Sequence, residues 1–211
     1  NVTADFRNPR EHYRRAQKVA KKIFDSGATL ICIGGDHGIP IPIMRALPHD
    51  KPFVLIQIDA HLDWRDEVNG EKEGYSSPIK RASELNSVSS IYQIGLRGVG
   101  SGRQEEYDDA NAYGSNLISA YEVHDLGIKK ILERIPDNVN FYMTVDADGM
   151  DPTIMPAVNA PTPGGLNWLQ IRELIHGIVK KGRVIGFDLV EISPSFEKGS
   201  TTLIHAERLI C

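Results

Sequence analysis

Three short acidic motifs, each set directly after an apolar run, constrain this chain more than any other feature. They are Gly34-Gly35-Asp36-His37, Asp59-Ala60-His61-Leu62-Asp63 and Asp146-Ala147-Asp148-Gly149-Met150-Asp151-Pro152. The runs before them are Thr29–Ile33, Phe53–Ile58 and Phe141–Val145. Short runs rich in β-branched and aromatic residues predict buried parallel strands. Each motif is therefore expected at the carboxyl end of a strand, the edge at which open α/β sheets bind their ligands.

In extended chain, residues i, i+2 and i+4 point to one side. Asp59, His61 and Asp63 then share a face, as do Asp146 and Asp148. Carboxylates crowded in this way repel one another and raise their own pKa values. Two divalent cations would balance four aspartates. Oxygen donors with a minority of imidazole suit Mn²⁺ better than a metal that prefers thiolates. A single such motif could equally be a solvated turn or a helix cap; three at three strand ends point to a metal centre.

A chain of 211 residues, 41% apolar and 25% charged, suits one soluble α/β domain over residues 1–211. A net charge of −4 without a basic run argues against nucleic acid or an anionic membrane as partner. No apolar run is long enough to span a bilayer. Only Cys32 and Cys211 are present, no leader pattern is visible, and a reducing, cytoplasmic setting is expected.

Periodicity predicts helices over about 9–25, near Ile41, and over 78–84, 105–113, 122–135, 167–181 and 201–209. Further strands are predicted at 91–96, 117–119 and 184–190. The polar stretch 63–77 reads as a long loop leaving a strand end. Alternating strands and helices predict a three-layer α/β/α fold with a mainly parallel sheet.

The ordered set Gly-Gly-Asp-His, Asp-Ala-His-x-Asp and Asp-x-Asp-x-x-Asp-Pro resembles the ureohydrolases, the family of arginase and agmatinase. Pro163-Gly164-Gly165-Leu166 and Val190-Glu191-Ile192-Ser193-Pro194 extend the resemblance over nearly the whole chain. It implies an arginase-like fold, a homo-oligomer (trimer or hexamer) and two Mn²⁺ per chain. His37, Asp59, Asp63 and Asp146 would hold one ion. Asp59, His61, Asp146 and Asp148 would hold the other. It also implies hydrolysis of a linear, agmatine-like guanidino compound with release of urea. Asp63 would hydrogen-bond the nucleophile and shuttle a proton, and Glu191 would pair with the guanidinium. A formiminoglutamate-type hydrolase and a catalytically silent, metal-stabilised assembly subunit are the alternatives.

The chain departs from the family pattern in several places. Tyr75 stands where a loop histidine serves as proton shuttle, and is expected to act as a hydrogen-bond donor. Asn159-Ala160-Pro161 replaces Gly-Thr-Pro. The acidic segment that holds arginine's α-amino group is missing after Arg97, which argues against arginine itself. Arg103 offers a cation for a carboxylate tail, or is a solvated arginine at a helix start. Family chains carry further residues, including a strand, before the opening helix, so the chain resembles an N-terminally shortened form. Asp36 is expected to orient a ligand histidine, Trp64 to pack the long loop, and Asp151 to form a turn. His12, His49, His124, His176 and His205 are read as structural or surface residues.

Overall fold

The computed structural model describes residues 2–3, 8–48 and 50–211, so His49 lies outside the described residues. Among the described residues, six strands form one parallel sheet: β1 (Leu30–Ile33), β2 (Phe53–Ile58), β3 (Val88–Leu96), β4 (Asn116–Ser119), β5 (Asn140–Asp146) and β6 (Arg183–Val190). Their spatial order is β1-β6-β5-β2-β3-β4. The chain runs outward from β2 through β3 to β4 on one side, and from β5 through β6 on the other. The order thus reverses between β2 and β5, which is where an open parallel sheet leaves a crevice.

Register brings the motifs to one height. Ile33 pairs with Leu189, Leu189 with Val145, and Val145 with Ile58. These four residues form a row across four strands, and each acidic motif starts just beyond it.

Helices cover both faces of the sheet. On one, α1 (Pro9–Asp25), α2 (Pro40–Met44), α3 (Pro78–Ser83) and α4 (Gln104–Tyr113) enclose a core containing Ala16, Ile43, Leu55, Ile79, Ala110 and Tyr142. On the other, α5 (Ala120–Leu126), α6 (Ile128–Leu132), α7 (Trp168–Lys181) and α8 (Thr201–Ile210) enclose Ile56, Ile58, Val123, Ile131, Leu174 and Ala206. This is the expected three-layer arrangement. Among the described residues, no helix is long and apolar enough to cross a membrane.

The structure corrects three details of the sequence reading. The helix expected over 122–135 is two helices, broken at Gly127, whose φ of 76° is left-handed. The first strand is not buried: β1 lies at a sheet edge, with Ile31 53% and Ile33 70% exposed. An apolar run reports strand propensity, not the strand's place in the sheet. The third motif does not continue as extended chain. Ala147–Gly149 form a turn of 3₁₀-helix directly after Asp146.

Candidate metal centre

The motifs converge because each turns back on itself. The Asp59 Oδ1 accepts from the backbone N–H of His61 at 2.6 Å. The Asp146 Oδ1 accepts from that of Asp148 at 2.8 Å, and the Asp36 Oδ1 from that of Gly38 at 3.0 Å. Aspartate forms such turns readily, because its short side chain reaches the amide two residues on. The acids are thus wrapped tightly over the strand ends. Gly149 lets the last motif approach the second: a Cβ there would lie 2.8 Å from the Asp59 amide nitrogen. Asp148 then accepts from the Ala60 N–H at 3.2 Å.

Two donor groups result, and they share Asp59. Around His37 Nδ1 lie Asp63 Oδ2 at 2.9 Å, Asp59 Oδ2 at 3.0 Å and Asp146 Oδ2 at 3.3 Å. Around His61 Nδ1 lie Asp148 Oδ2 at 3.1 Å and Asp59 Oδ1 at 3.4 Å. His37 and all four aspartates are buried. The structure thus brings together all six residues singled out as ligands. The positive φ of Asp63 (52°) and Glu191 (63°), unusual for residues other than glycine, falls on two acids of this site.

His37 tests whether a cation fits. The Thr144 hydroxyl donates to Asp188 at 2.7 Å, so it accepts from His37 Nε2 at 2.8 Å. Asp188 also accepts from the Tyr142 hydroxyl at 2.6 Å. That chain places one ring proton on Nε2 and turns the buried Nδ1 towards three carboxylates. Those carboxylates favour the imidazolium form of His37. A ring nitrogen buried among carboxylates is a site for positive charge, and a bound cation takes the place of its proton. Hard oxygen donors, two imidazoles and no thiolate suit a divalent ion of the Mn²⁺ or Mg²⁺ type, the imidazoles favouring the former. The expectation that Asp36 orients the histidine is therefore corrected: Thr144 does so, and Asp36 is exposed and held by Gly38.

A second buried chain supports the shared acid. Gln57 Nε2 donates to Asp59 Oδ2 at 2.7 Å, and Gln93 Nε2 donates to Gln57 Oε1 at 2.6 Å. The Ser115 hydroxyl donates to Gln93 Oε1 at 2.9 Å. Neither glutamine was singled out from the sequence. The signal was present, since two amides interrupt otherwise apolar strands.

Burial and the Asp59 charge push the Asp63 carboxyl up to about 7, against the opposing pull of His37. Burial likewise lifts Asp146 and Asp148, with help from Asp59. Burial would raise Asp59 too, but hydrogen bonds to His37 and His61 bring it below the usual carboxylate range. Hydrogen bonds to Asp148 and Asp59 push His61 up to about 11. Metal ligands must be carboxylates and neutral imidazoles, so cation binding displaces these protons. Affinity for Mn²⁺ should accordingly rise between pH 6 and pH 8, by about tenfold or more for one displaced proton. Competition with a chelating dye at the two pH values measures this, and equal affinities would contradict the proton displacement.

The centre opens into a cavity of about 570 Å³, which Glu191, Asn159, Arg65, Glu106 and the exposed Tyr75 also line. Glu191 Oε1 accepts from the His37 N–H at 2.8 Å and Oε2 from the Asn159 amide at 3.0 Å. The Ser193 hydroxyl in turn holds Asn159 Oδ1 at 3.0 Å. Trp64 packs the long loop as expected: it is buried, lies tilted against Tyr113 and donates to Asp109 at 2.8 Å. Asp151 caps its own turn through Thr153. Arg103 is absent from the cavity lining, 61% exposed and paired with Glu105. His124 and His205 tie helices to loops through Gly164 and Ile154.

Comparison with known proteins fits this geometry. A model of the arginase family matches residues 1–211. An agmatinase of Halalkalibacterium halodurans is 31% identical over 97% of this chain and 70% of its own length. A guanidinobutyrase of Pseudomonas aeruginosa is 32% identical over 94% of this chain and 64% of its own. The crystal structure of an agmatine ureohydrolase of Thermoplasma volcanium superposes with a TM-score of 0.81 at 32% identity, covering 94% of this chain and 65% of that one. The chain thus spans roughly two thirds of the length of these relatives.

Proposed function

Because the chain belongs to the arginase family, we propose that it is a ureohydrolase with two Mn²⁺, acting on a linear guanidino compound other than arginine. The observation that carries this reading is the pair of donor groups sharing Asp59 at the floor of a cavity whose wall presents Glu191. In the reaction, oxygen from water bonds to the guanidinium carbon, and the bond from that carbon to the alkyl-bearing nitrogen breaks. Urea and a protonated alkylamine leave. Bound cations would supply the Lewis acidity that lowers a water pKa from about 16 towards about 7.

The chain's own residues do the rest. Glu191 is held by His37 and Asn159 through one lone pair on each oxygen, which leaves both oxygens able to accept from the guanidinium. Charge pairing there fixes the electrophilic carbon over the donor groups. Asp63, on the same floor, takes the proton released on attack and passes it to the departing amine nitrogen. Tyr75, at the rim, can donate a hydrogen bond, but a phenol is a weaker proton shuttle than an imidazole. A homo-oligomer, trimeric or hexameric, belongs to this proposal on family resemblance alone, and a cytoplasmic setting on the low cysteine content.

The test is urea release by the Mn²⁺-loaded protein from a panel of agmatine, 4-guanidinobutyrate, 3-guanidinopropionate and arginine. Turnover of at least one non-arginine compound is expected. No urea from any compound, or arginine as the best substrate, would overturn the reading.

A further inference from the structure

Resting on that ureohydrolase reading, we propose that Arg65 selects the far end of the substrate, and that the substrate is an ω-guanidino carboxylic acid. Arg65 is the only lysine or arginine among the described residues that line the cavity. The other charged groups there already have work in the site. His37, His61, Asp63, Asp146 and Asp148 form the cation-binding floor, and Glu191 faces the guanidinium. Asp36 is turned to the Gly38 amide.

The mounting of Arg65 is specific. Its Nε donates to Glu106 Oε1 in a close ion pair. Glu106 Oε2 accepts from the Arg103 N–H at 2.8 Å, so both oxygens of that buried acid are engaged. The Arg65 N–H donates to the Ser76 carbonyl at 3.0 Å, tying its backbone across the loop. Its two Nη groups make no hydrogen bond to any described residue, and the side chain is 27% exposed. A guanidinium gripped at Nε with its Nη groups left over matches a carboxylate and offers an ammonium no acceptor.

Arg65 lies two residues beyond Asp63 in the chain, and both line the same cavity as Glu191. Of the two sequence readings of Arg103, a cation for a tail or a solvated arginine at a helix start, the structure fits the second, since the side chain is exposed and outside the cavity lining.

Agmatine and 4-guanidinobutyrate have similar chain lengths and oppositely charged tails, so they separate this proposal from the general one. With wild-type, Arg65→Gln and Arg65→Lys proteins, all Mn²⁺-loaded, kcat and KM are read from urea release and binding from calorimetry. The wild type should prefer 4-guanidinobutyrate by about tenfold or more in kcat/KM, and Arg65→Gln should raise its KM roughly 10- to 100-fold with a smaller change in kcat. Arg65→Gln should also improve binding of agmatine, and Arg65→Lys, whose single ammonium cannot divide between Glu106 and the tail, should recover only part of the discrimination. A purely structural role for the Arg65–Glu106 pair would instead lower the melting temperature and weaken both compounds alike, overturning the assignment. Preference for agmatine that survives in Arg65→Gln would overturn it while leaving the ureohydrolase reading intact. Arg65-dependent binding of 4-guanidinobutyrate without any urea would uphold the tail assignment and sink the ureohydrolase reading. No binding of the acid to the wild type would overturn the assignment outright.

Discussion

Asp59→Ala is expected to lose both metal ions and all measurable turnover, whereas Asp148→Ala should mainly weaken one ion. The difference follows from geometry. One Asp59 oxygen lies 3.0 Å from His37 Nδ1 and the other 3.4 Å from His61 Nδ1, so this carboxylate belongs to both donor groups. Asp148 approaches only His61, at 3.1 Å. Removing Asp59 also frees the Gln57 amide and the His61 N–H, which hold its two oxygens. Without the cations, water returns to a pKa of about 16 and the nucleophile is lost by several orders of magnitude. Elemental analysis of the purified variants reads the ions directly, and circular dichroism shows whether each is folded. A folded Asp59→Ala protein that retains two ions would refute the shared-ligand assignment.

Glu191→Gln should lower kcat/KM by about 2–5 kcal/mol, tens- to thousands-fold, with metal content unchanged. Glu191 is not a ligand. It accepts from the His37 backbone and the Asn159 amide, and offers its remaining lone pairs to the cavity. Glutamine cannot match this. It loses the charge opposite the guanidinium, and its NH₂ must face either the His37 N–H or the Asn159 NH₂, both donors. Near-wild-type activity on every guanidino compound would show that the guanidinium binds elsewhere.

Much of this site was legible in the sequence because its logic is local. Each acid motif follows its own strand, and Asx turns fold Asp59 and Asp146 back over their strand ends within two residues. The reason given by periodicity was only partly right. Strict alternation along extended chain was expected to align the acids, but Asp148 sits in a 3₁₀ turn and Asp63 in left-handed backbone. What the sequence hid is what crosses long separations. Thr144 meets His37 from 107 residues away and is held in turn by Asp188 on the neighbouring strand. Gln57 and Gln93 pair across β2 and β3. Arg65 looked like one charge among many in a polar loop, and only its grip on Glu106, 41 residues on, turns it towards the cavity. The exposed face of β1 was unreadable for a related reason. Ile31 and Ile33 have the composition of a buried strand, and the strand order that puts them at an edge is a property of the whole sheet.

The central claim, two cations serving one guanidino-hydrolysing site, is tested most directly by titrating metal-free protein with Mn²⁺ while recording bound metal and urea release from 4-guanidinobutyrate together. Saturation is expected at two ions per chain, with turnover reaching its maximum only as the second ion binds. Saturation at one ion, or full loading with two ions and no urea from any guanidino compound, would contradict it.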